Sequence, residues 1–346
     1  MIKKNLFLGL LILLVSISSS VKGQTLSGAG ATFPEPFYNT AFRQYDEVAK
    51  IKVNYGGIGS GGGIRSLKDK VVDFGASDAF LSNEEMKTMP AAIVHIPTCS
   101  GAVVVAYNLA GVRQIKLTPD ALIKIFMGAI KNWNDPTLRR LNPGVKFPNK
   151  AITVVYRADG SGTTNMFTDY LTKVSAVWKS RIGSGKTVRF PVGVAAKGNP
   201  GVAGVIRSTA GAIGYVGSEY AFAEKISSAL IQNKSGRFIK ASIASTSAAG
   251  KGHIPADTRV MLTNSSAPTA YPIAGFTWLI IYKEQHYGNR TLAQAQQTLR
   301  LLDWMVSRNA QAFASRTNYA PLPASVANRA KAILRTVTYN GKRILK

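Results

Sequence analysis

Residues 156–167, YRADGSGTTNMF, set Arg157 and Asp159 beside two glycines and three hydroxyl side chains, Ser161, Thr163 and Thr164. A guanidinium is a planar fork of N–H donors matched to an oxyanion. Hydroxyls add further donors, and glycine at 160 and 162 lets backbone approach a ligand closely. The strand-like run AITVVY precedes this turn, and Met166, Phe167, Tyr170, Leu171, Val174 and Val177 recur behind it at helical spacing. The pattern predicts strand, tight turn, helix. The first helical turn carries four backbone N–H groups without helical partners, at the positive end of the helix dipole. A small anion fits such a seat. A helix start capped by Ser161, with no ligand, accounts for the same residues.

Three other stretches repeat the arrangement. SGAGATFPEPFYNTAF has Thr32 and Phe33 in a glycine-rich turn, with a helix pattern after Pro36. NYGGIGSGGGIRSL places Ser60 between glycines, with a helix from near Ile64. DFGASDAFLSNEEM puts Asp78 at the end of a strand, ahead of a helix opening around Ser82. Several helix N-termini with hydroxyls can converge on one small anion. Two motifs imitate nucleotide sites. Gly57, Gly59 and Gly62 fit G-x-G-x-x-G with Asp78 near the ribose-binding distance, but the strand before them is short and polar. Gly185-Lys186-Thr187 lacks the first glycine and the leading strand of a phosphate loop.

These turns need a frame. Short β-branched or alternating runs (IKVNYG, VVDFGAS, GAVVVAYN, AITVVYR, TWLIIYK) alternate with helical stretches such as IRSLKDK and LAQAQQTLRLLDWMVSRNAQAF. That alternation predicts an α/β protein with largely parallel sheets. Ser227 to Ser266, rich in Ser, Ala and Lys, is expected to wrap a surface. Residues 1–23 read as a cleaved export signal: Lys3 and Lys4, an apolar run from Leu6 to Ile17, then a small-x-small pattern at Val21 and Gly23. The run is short for a membrane anchor. The mature chain is expected to start at Gln24 and to work outside the cytoplasm. Its 323 residues exceed one ordinary core and predict two lobes.

Of 346 residues, 43 are Lys or Arg and 17 Asp or Glu; without the signal, 40 basic residues leave a net charge of +23. Such a surface attracts anions without specifying which. From Tyr287 to the end stand ten basic residues and one acid, Asp303. Charge without a binding module argues against nucleic acid. Cys99 is the lone cysteine, so an intrachain disulfide is excluded, and its apolar setting predicts a packed hydrophobe. His95, His253 and His286 have neither metal-ligand nor triad spacing, and no carboxylate cluster suggests paired metals. No cofactor is implied.

With the four turns in view, the chain resembles the periplasmic phosphate-binding proteins of ABC transporters, the PstS family. GAGATFP, NYGGIGSGGG, VDFGASDAFLS and RADGSGTT occur in the family's order, joined by segments such as GAIKNWNDPTLRRLNPG, AAKGNPGVAGVI, GAIGYV and NYAPLP. The resemblance implies a two-lobe periplasmic-binding-protein fold of type II, with mixed sheets flanked by helices and hinge strands between the lobes. Residues 24–104 and 277–346 would form lobe I and residues 105–276 lobe II, with GAVVVAYN and YPIAGFTWLIIYKE as the crossings. It implies phosphate contacts from Thr32, Phe33, Ser60, Asp78, Arg157, Ser161, Gly162 and Thr163, with Asp159 holding the arginine. Gly61 stands where many members have a second serine. The implied partners are inorganic phosphate and a membrane permease, the implied state a monomer, and no catalysis.

An acid among anion ligands is informative. Asp78 repels a bound dianion unless the ligand donates a proton to it. Phosphate near neutral pH carries such a proton and sulfate does not. Leaving a buried acceptor unsatisfied costs about 1–3 kcal/mol, and more for a charge, so Asp78 is expected to reject sulfate. From another class, a secreted phosphatase with Ser161 or Ser60 as nucleophile would use the same cradle. A basic surface-interaction protein would use the tail instead.

Overall fold

The computed structural model describes residues 25–345; the expected signal segment lies outside them. Six glycine-bearing or β-branched runs become parallel strands, three at each of the two wings of one sheet. In the first wing β1 (Leu26–Gly30) lies between β2 (Val53–Gly57) and β3 (Phe74–Ser77), parallel to both. The long apolar run becomes β4 (Ile93–Tyr107). In the second wing β5 (Thr153–Arg157) lies between β6 (Val194–Ala196) and β7 (Ala212–Gly217), again parallel to both. β8 (Ala274–Tyr282) completes the order β2-β1-β3-β8-β4-β7-β5-β6.

β4 and β8 make the middle antiparallel. Ile93 to Ala102 of β4 pair with β8, while Val103 to Tyr107 of the same strand pair with β7. β8 pairs on its other edge with β3. The sheet is therefore mixed rather than largely parallel. Fifteen residues of extended chain span about 50 Å, so one strand serves both wings. Both its faces are covered, which is why it reads as an almost unbroken apolar run. Register shifts where Thr277 pairs with Cys99 but Trp278 pairs with Pro97. Pro97 has no N–H to give a ladder and is accommodated at that irregularity.

Helices follow the strands: α1 (Glu35–Ala49), α2 (Ser60–Lys68) and α3 (Asn83–Lys87) in the first wing, α4 (Gly162–Val174) and α5 (Gly198–Ser208) in the second. α2 starts at Ser60, four residues before the expected point. α3 opens at Ser82 through a capping box with Glu85. The 227–266 stretch contains the short strands Ser227–Ser228, Leu230–Gln232 and Phe238–Ile239 and helix α6 (Ile243–Ala249). The stretch expected as one long helix is two, α7 (Leu292–Met305) and α8 (Arg308–Arg316), because the Ser307 hydroxyl accepts from Ala310 N and caps a new start. α9 (Ala324–Leu334) packs against β4.

One continuous core joins the wings, including Trp133, Trp178, Trp278, Tyr38 and Phe37, all fully buried. Each large apolar side chain so buried stabilises the fold by about 1.5–3 kcal/mol. Cys99 is buried among them. His95 is also buried: its Nε2 accepts from Leu81 N at 3.1 Å, and burial depresses the imidazole to about 3. His253 and His286 are exposed.

Candidate anion-binding site

The predicted residues all stand just past the carboxyl ends of parallel strands, where open α/β sheets bind ligands. Thr32 and Phe33 follow β1, Ser60 follows β2, Asp78 follows β3, and Arg157 ends β5 with Ser161, Gly162 and Thr163 opening α4. Thr32, Phe33, Ser60, Asp78, Arg157, Ser161 and Thr163 are all buried.

Asp159 fixes the arginine. Nε of Arg157 donates to Asp159 Oδ1 at 2.8 Å, and Nη2 donates to Oδ2 at 2.5 Å. Gly198 N, at the start of α5, donates to the same carboxylate at 3.0 Å. Burial raises the Asp159 carboxyl, but the bonds and charge of Arg157 outweigh it and the group ends below its ordinary value. A guanidinium held along one edge leaves Nη1 directed elsewhere; it reaches Thr163 Oγ1 at 3.4 Å. Gly59, at φ +83°, permits the approach of this pair, since a Cβ there would lie 2.2 Å from Asp159 Oδ2.

Two turns meet across the sheet. Gly61 N donates to Gly160 O at 2.8 Å, and Gly162 N donates to Ser60 Oγ at 3.0 Å. A Cβ on Gly162 would lie 2.6 Å from Asp78 Cβ, and one on Gly61 would crowd Gly160 Cα at 3.2 Å. The missing second serine at position 61 thus lets two backbones touch. Ser161 caps α4, its hydroxyl accepting from Thr164 N at 3.0 Å. Its own N–H donates to Lys186 O at 2.8 Å, so the segment that imitates a phosphate loop frames this turn instead.

Asp78 is 1% exposed. Thr277 Oγ1 donates to its Oδ1 at 2.8 Å and Ser60 Oγ to its Oδ2 at 3.4 Å. Burial pushes its carboxyl up to about 7, although the Thr277 bond, the Arg157 charge and the Ser60 bond all pull it down. Asp78 therefore changes charge near neutral pH.

Asn199 was not anticipated. Its Nδ2 donates to Thr32 Oγ1 at 2.9 Å and to Thr163 Oγ1 at 3.1 Å, and its own N–H donates to Thr32 Oγ1 at 3.1 Å. Gly217 N donates to Asn199 Oδ1 at 2.9 Å, which fixes the orientation of the amide. A hydroxyl whose lone pairs accept such bonds keeps its hydrogen for another acceptor. Asn199 thereby makes donors of Thr32 and Thr163. Its only sequence signal was the glycine-proline turn GNPG around it. Thr277 and Tyr215 were also missed; the Tyr215 hydroxyl accepts from Arg157 N at 3.1 Å, and its ring stacks on Phe167 of α4 at 4.4 Å. Phe33 contributes packing too: its ring meets Tyr319 edge-on, and its carbonyl accepts from Tyr319 OH at 2.6 Å.

Among the described residues, no cluster of three His, Cys, Asp or Glu gathers as metal ligands, and no helix is long and apolar enough to cross a membrane.

Comparison with known proteins adds relatives to this geometry. The PBP superfamily domain matches residues 16–309. The phosphate-binding protein PstS of Pasteurella multocida is 37% identical over 332 residues, covering 94% of each chain. That of Haemophilus influenzae is 38% identical over 320 residues, 91% of this chain and 94% of its own. Among solved structures, a high-affinity periplasmic phosphate-binding protein bound with phosphate, PfluDING, superposes with a TM-score of 0.70 at 22% identity, covering 89% of this chain and 93% of its own. A phosphate-binding protein from Stenotrophomonas maltophilia gives 0.68 at 19% identity, over 92% and 97%. At these identities the solved structures speak for the fold, a mixed α/β periplasmic-binding-protein architecture.

Proposed function

The chain belongs to the PstS family of phosphate-binding proteins, and from that premise we propose that it captures inorganic phosphate between its two sheet wings and delivers it to an ABC permease. In this reading one lobe is built from the 24–104 and 277–346 segments and the other from 105–276, with β4 and β8, the antiparallel strands between the two wings, as the hinge. Lobe closure around the ion brings Thr32, Phe33, Ser60 and Asp78 against Arg157, Ser161, Gly162 and Thr163. The protein is an exported monomer released from its signal segment into the periplasm.

The observation that carries this reading is a buried acid inside a ring of donors. Arg157 supplies a charged fork held by Asp159. Thr32 and Thr163 supply hydroxyl hydrogens oriented by Asn199, and the α4 start supplies dipole and backbone. These donors bind any tetrahedral oxyanion. Asp78 adds the discrimination: as a carboxylate it accepts the O–H of mono- or dihydrogen phosphate, and toward sulfate it presents only repulsion. The ion is bound and released unchanged. Ser161 and Ser60, the nucleophiles a phosphatase would need, have no histidine as hydrogen-bond partner among the described residues.

Calorimetric titration of the mature chain, stripped of ligand by refolding, tests the proposal. One-to-one phosphate binding that is indifferent to excess sulfate is expected. A folded sample that binds no phosphate overturns the reading. Equal competition by sulfate keeps the anion seat and overturns the role of Asp78.

A further inference from the structure

Away from the cleft, a cavity of about 780 Å3 opens beside the middle of β4. One wall is the loop after α6, Gly250 to Ile254; the other is the start of α9 with the Pro321 and Pro323 segment before it. That segment is anchored to β4, since Ala320 and Ser100 exchange backbone hydrogen bonds at 2.8 and 3.0 Å. Three cationic or N–H-bearing side chains face the space: Lys251, His253 and Arg329. Ser247 and Ser325 add hydroxyls, and among the described residues no carboxylate lines it. Nη1 of Arg329 is buried and has no hydrogen-bond partner among the described residues. That N–H is sealed from solvent as it stands, so the guanidinium has to turn outward to meet an acceptor in the cavity, which would relieve the cost of leaving it unpaired.

A second cavity, about 770 Å3, gives the contrast. It too contains a lysine, Lys124, but Asp120 pairs with it at 2.8 Å. Arg181 lines it as well, but Asp120 puts a carboxylate into that wall, where the Lys251–Arg329 cavity has none among the described residues.

We propose that the Lys251–Arg329 cavity is a second anion site, separate from the cleft, which takes a small organic phosphomonoester. Two cations and a hydroxyl pair suit a phosphoryl group. The volume exceeds the needs of a bare ion and falls in the range of pockets for small organic molecules, and Ile254 with Pro321 offers apolar contact for the organic part. The site draws on the two sequence features that the cleft leaves unused. Lys251 belongs to the lysine- and serine-rich segment, and Arg329 to the basic tail. Its walls come from either side of the β4 crossing, so an occupant touches both the 105–276 and the 277–346 segments.

The test is calorimetry on the full mature chain loaded with one equivalent of inorganic phosphate, titrated with adenosine 5′-monophosphate and, separately, with further inorganic phosphate. One saturable site per chain is expected. Lys251→Ala combined with His253→Ala on the exposed loop, and separately Arg329→Gln, should each weaken it by at least about tenfold, the loss of one charge-assisted hydrogen bond. Phosphate affinity at the cleft and the melting temperature of the loop variant should stay as they were. A second phosphate equivalent that these variants remove supports the same oxyanion seat and makes the free ion its occupant. Saturable binding of neither compound by folded protein, or binding unchanged in both variants, overturns the proposal. Neither result depends on the cleft reading, because each is scored on residues outside it.

Discussion

Asn199 separates two kinds of residue in this candidate site, those proposed to touch the ion and those that decide which way a hydroxyl points. Asn199→Asp is nearly isosteric but replaces the Nδ2 donor with an acceptor. Thr32 and Thr163 then turn their hydrogens toward residue 199 and lose them as ligand donors. Phosphate affinity should fall by at least about tenfold, one or two hydrogen bonds' worth, with an unchanged far-UV circular dichroism spectrum. Undiminished affinity would show that the hydroxyls are not oriented through this amide. Asp78 gives a pH-dependent counterpart. With its carboxyl near 7, it is charged above neutral pH and protonated below. A protonated Asp78 donates rather than repels, so sulfate should compete increasingly well as pH falls from about 8 to about 6, measurable as sulfate inhibition of phosphate binding. Pattern reading singled out Arg157, Asp159 and Asp78 as candidates because charge in a glycine-bearing turn is conspicuous. It missed Asn199 and Thr277, because their importance lies in partners 167 and 199 positions away.

Ser161 poses a question about the α4 start as an element, because a helix cap and an anion ligand ask for the same side chain. Its hydroxyl accepts from Thr164 N while its hydrogen is free for a ligand. Ser161→Ala should cost about 1 kcal/mol of stability as a lost cap, whereas Ser161→Gly costs only a few tenths. Both remove the proposed ligand donor. Chemical denaturation should therefore separate the two variants while phosphate titration does not. If affinity survives in both, the serine is only a cap. Local signals located this element well: strand, paired glycines, hydroxyl, apolar stripe. They failed at Ser307, where an apolar helical period runs straight across a break. The period continues there because both helices bury faces against the same core, and only the serine marks the new start.

For the whole molecule, strand–helix alternation pointed to the parallel strands of the wings and the family resemblance to a mixed sheet, but neither pointed to the antiparallel middle formed by β4 and β8 or to the burial of Glu219. Nothing in GSEYAF distinguishes it from a surface acid, and only the assembled fold encloses it. Its Oε1 accepts from Ser218 Oγ at 2.7 Å, and Oε2 has no partner among the described residues. Burial pushes the group up to about 8, against the weaker pull of its own backbone, Ser218 and the nearby Tyr319 hydroxyl. Below pH 4.5, its ordinary value, folded and unfolded chains are both protonated and the group contributes its full share. Between 4.5 and about 8 the unfolded chain releases a proton that the folded chain keeps. Stability therefore falls with rising pH across that window and levels above it. Asp78 acts in the same direction between 3.8 and about 7. Melting in phosphate-free buffer should accordingly give a lower Tm at the alkaline end of the window than at its acid end. Glu219→Gln keeps a neutral side chain at every pH and should remove the decline nearest pH 8, leaving the part due to Asp78. A variant whose Tm follows the parent across the range would mean that Glu219 is ionised in the fold, and that a cation or water reaches its free oxygen.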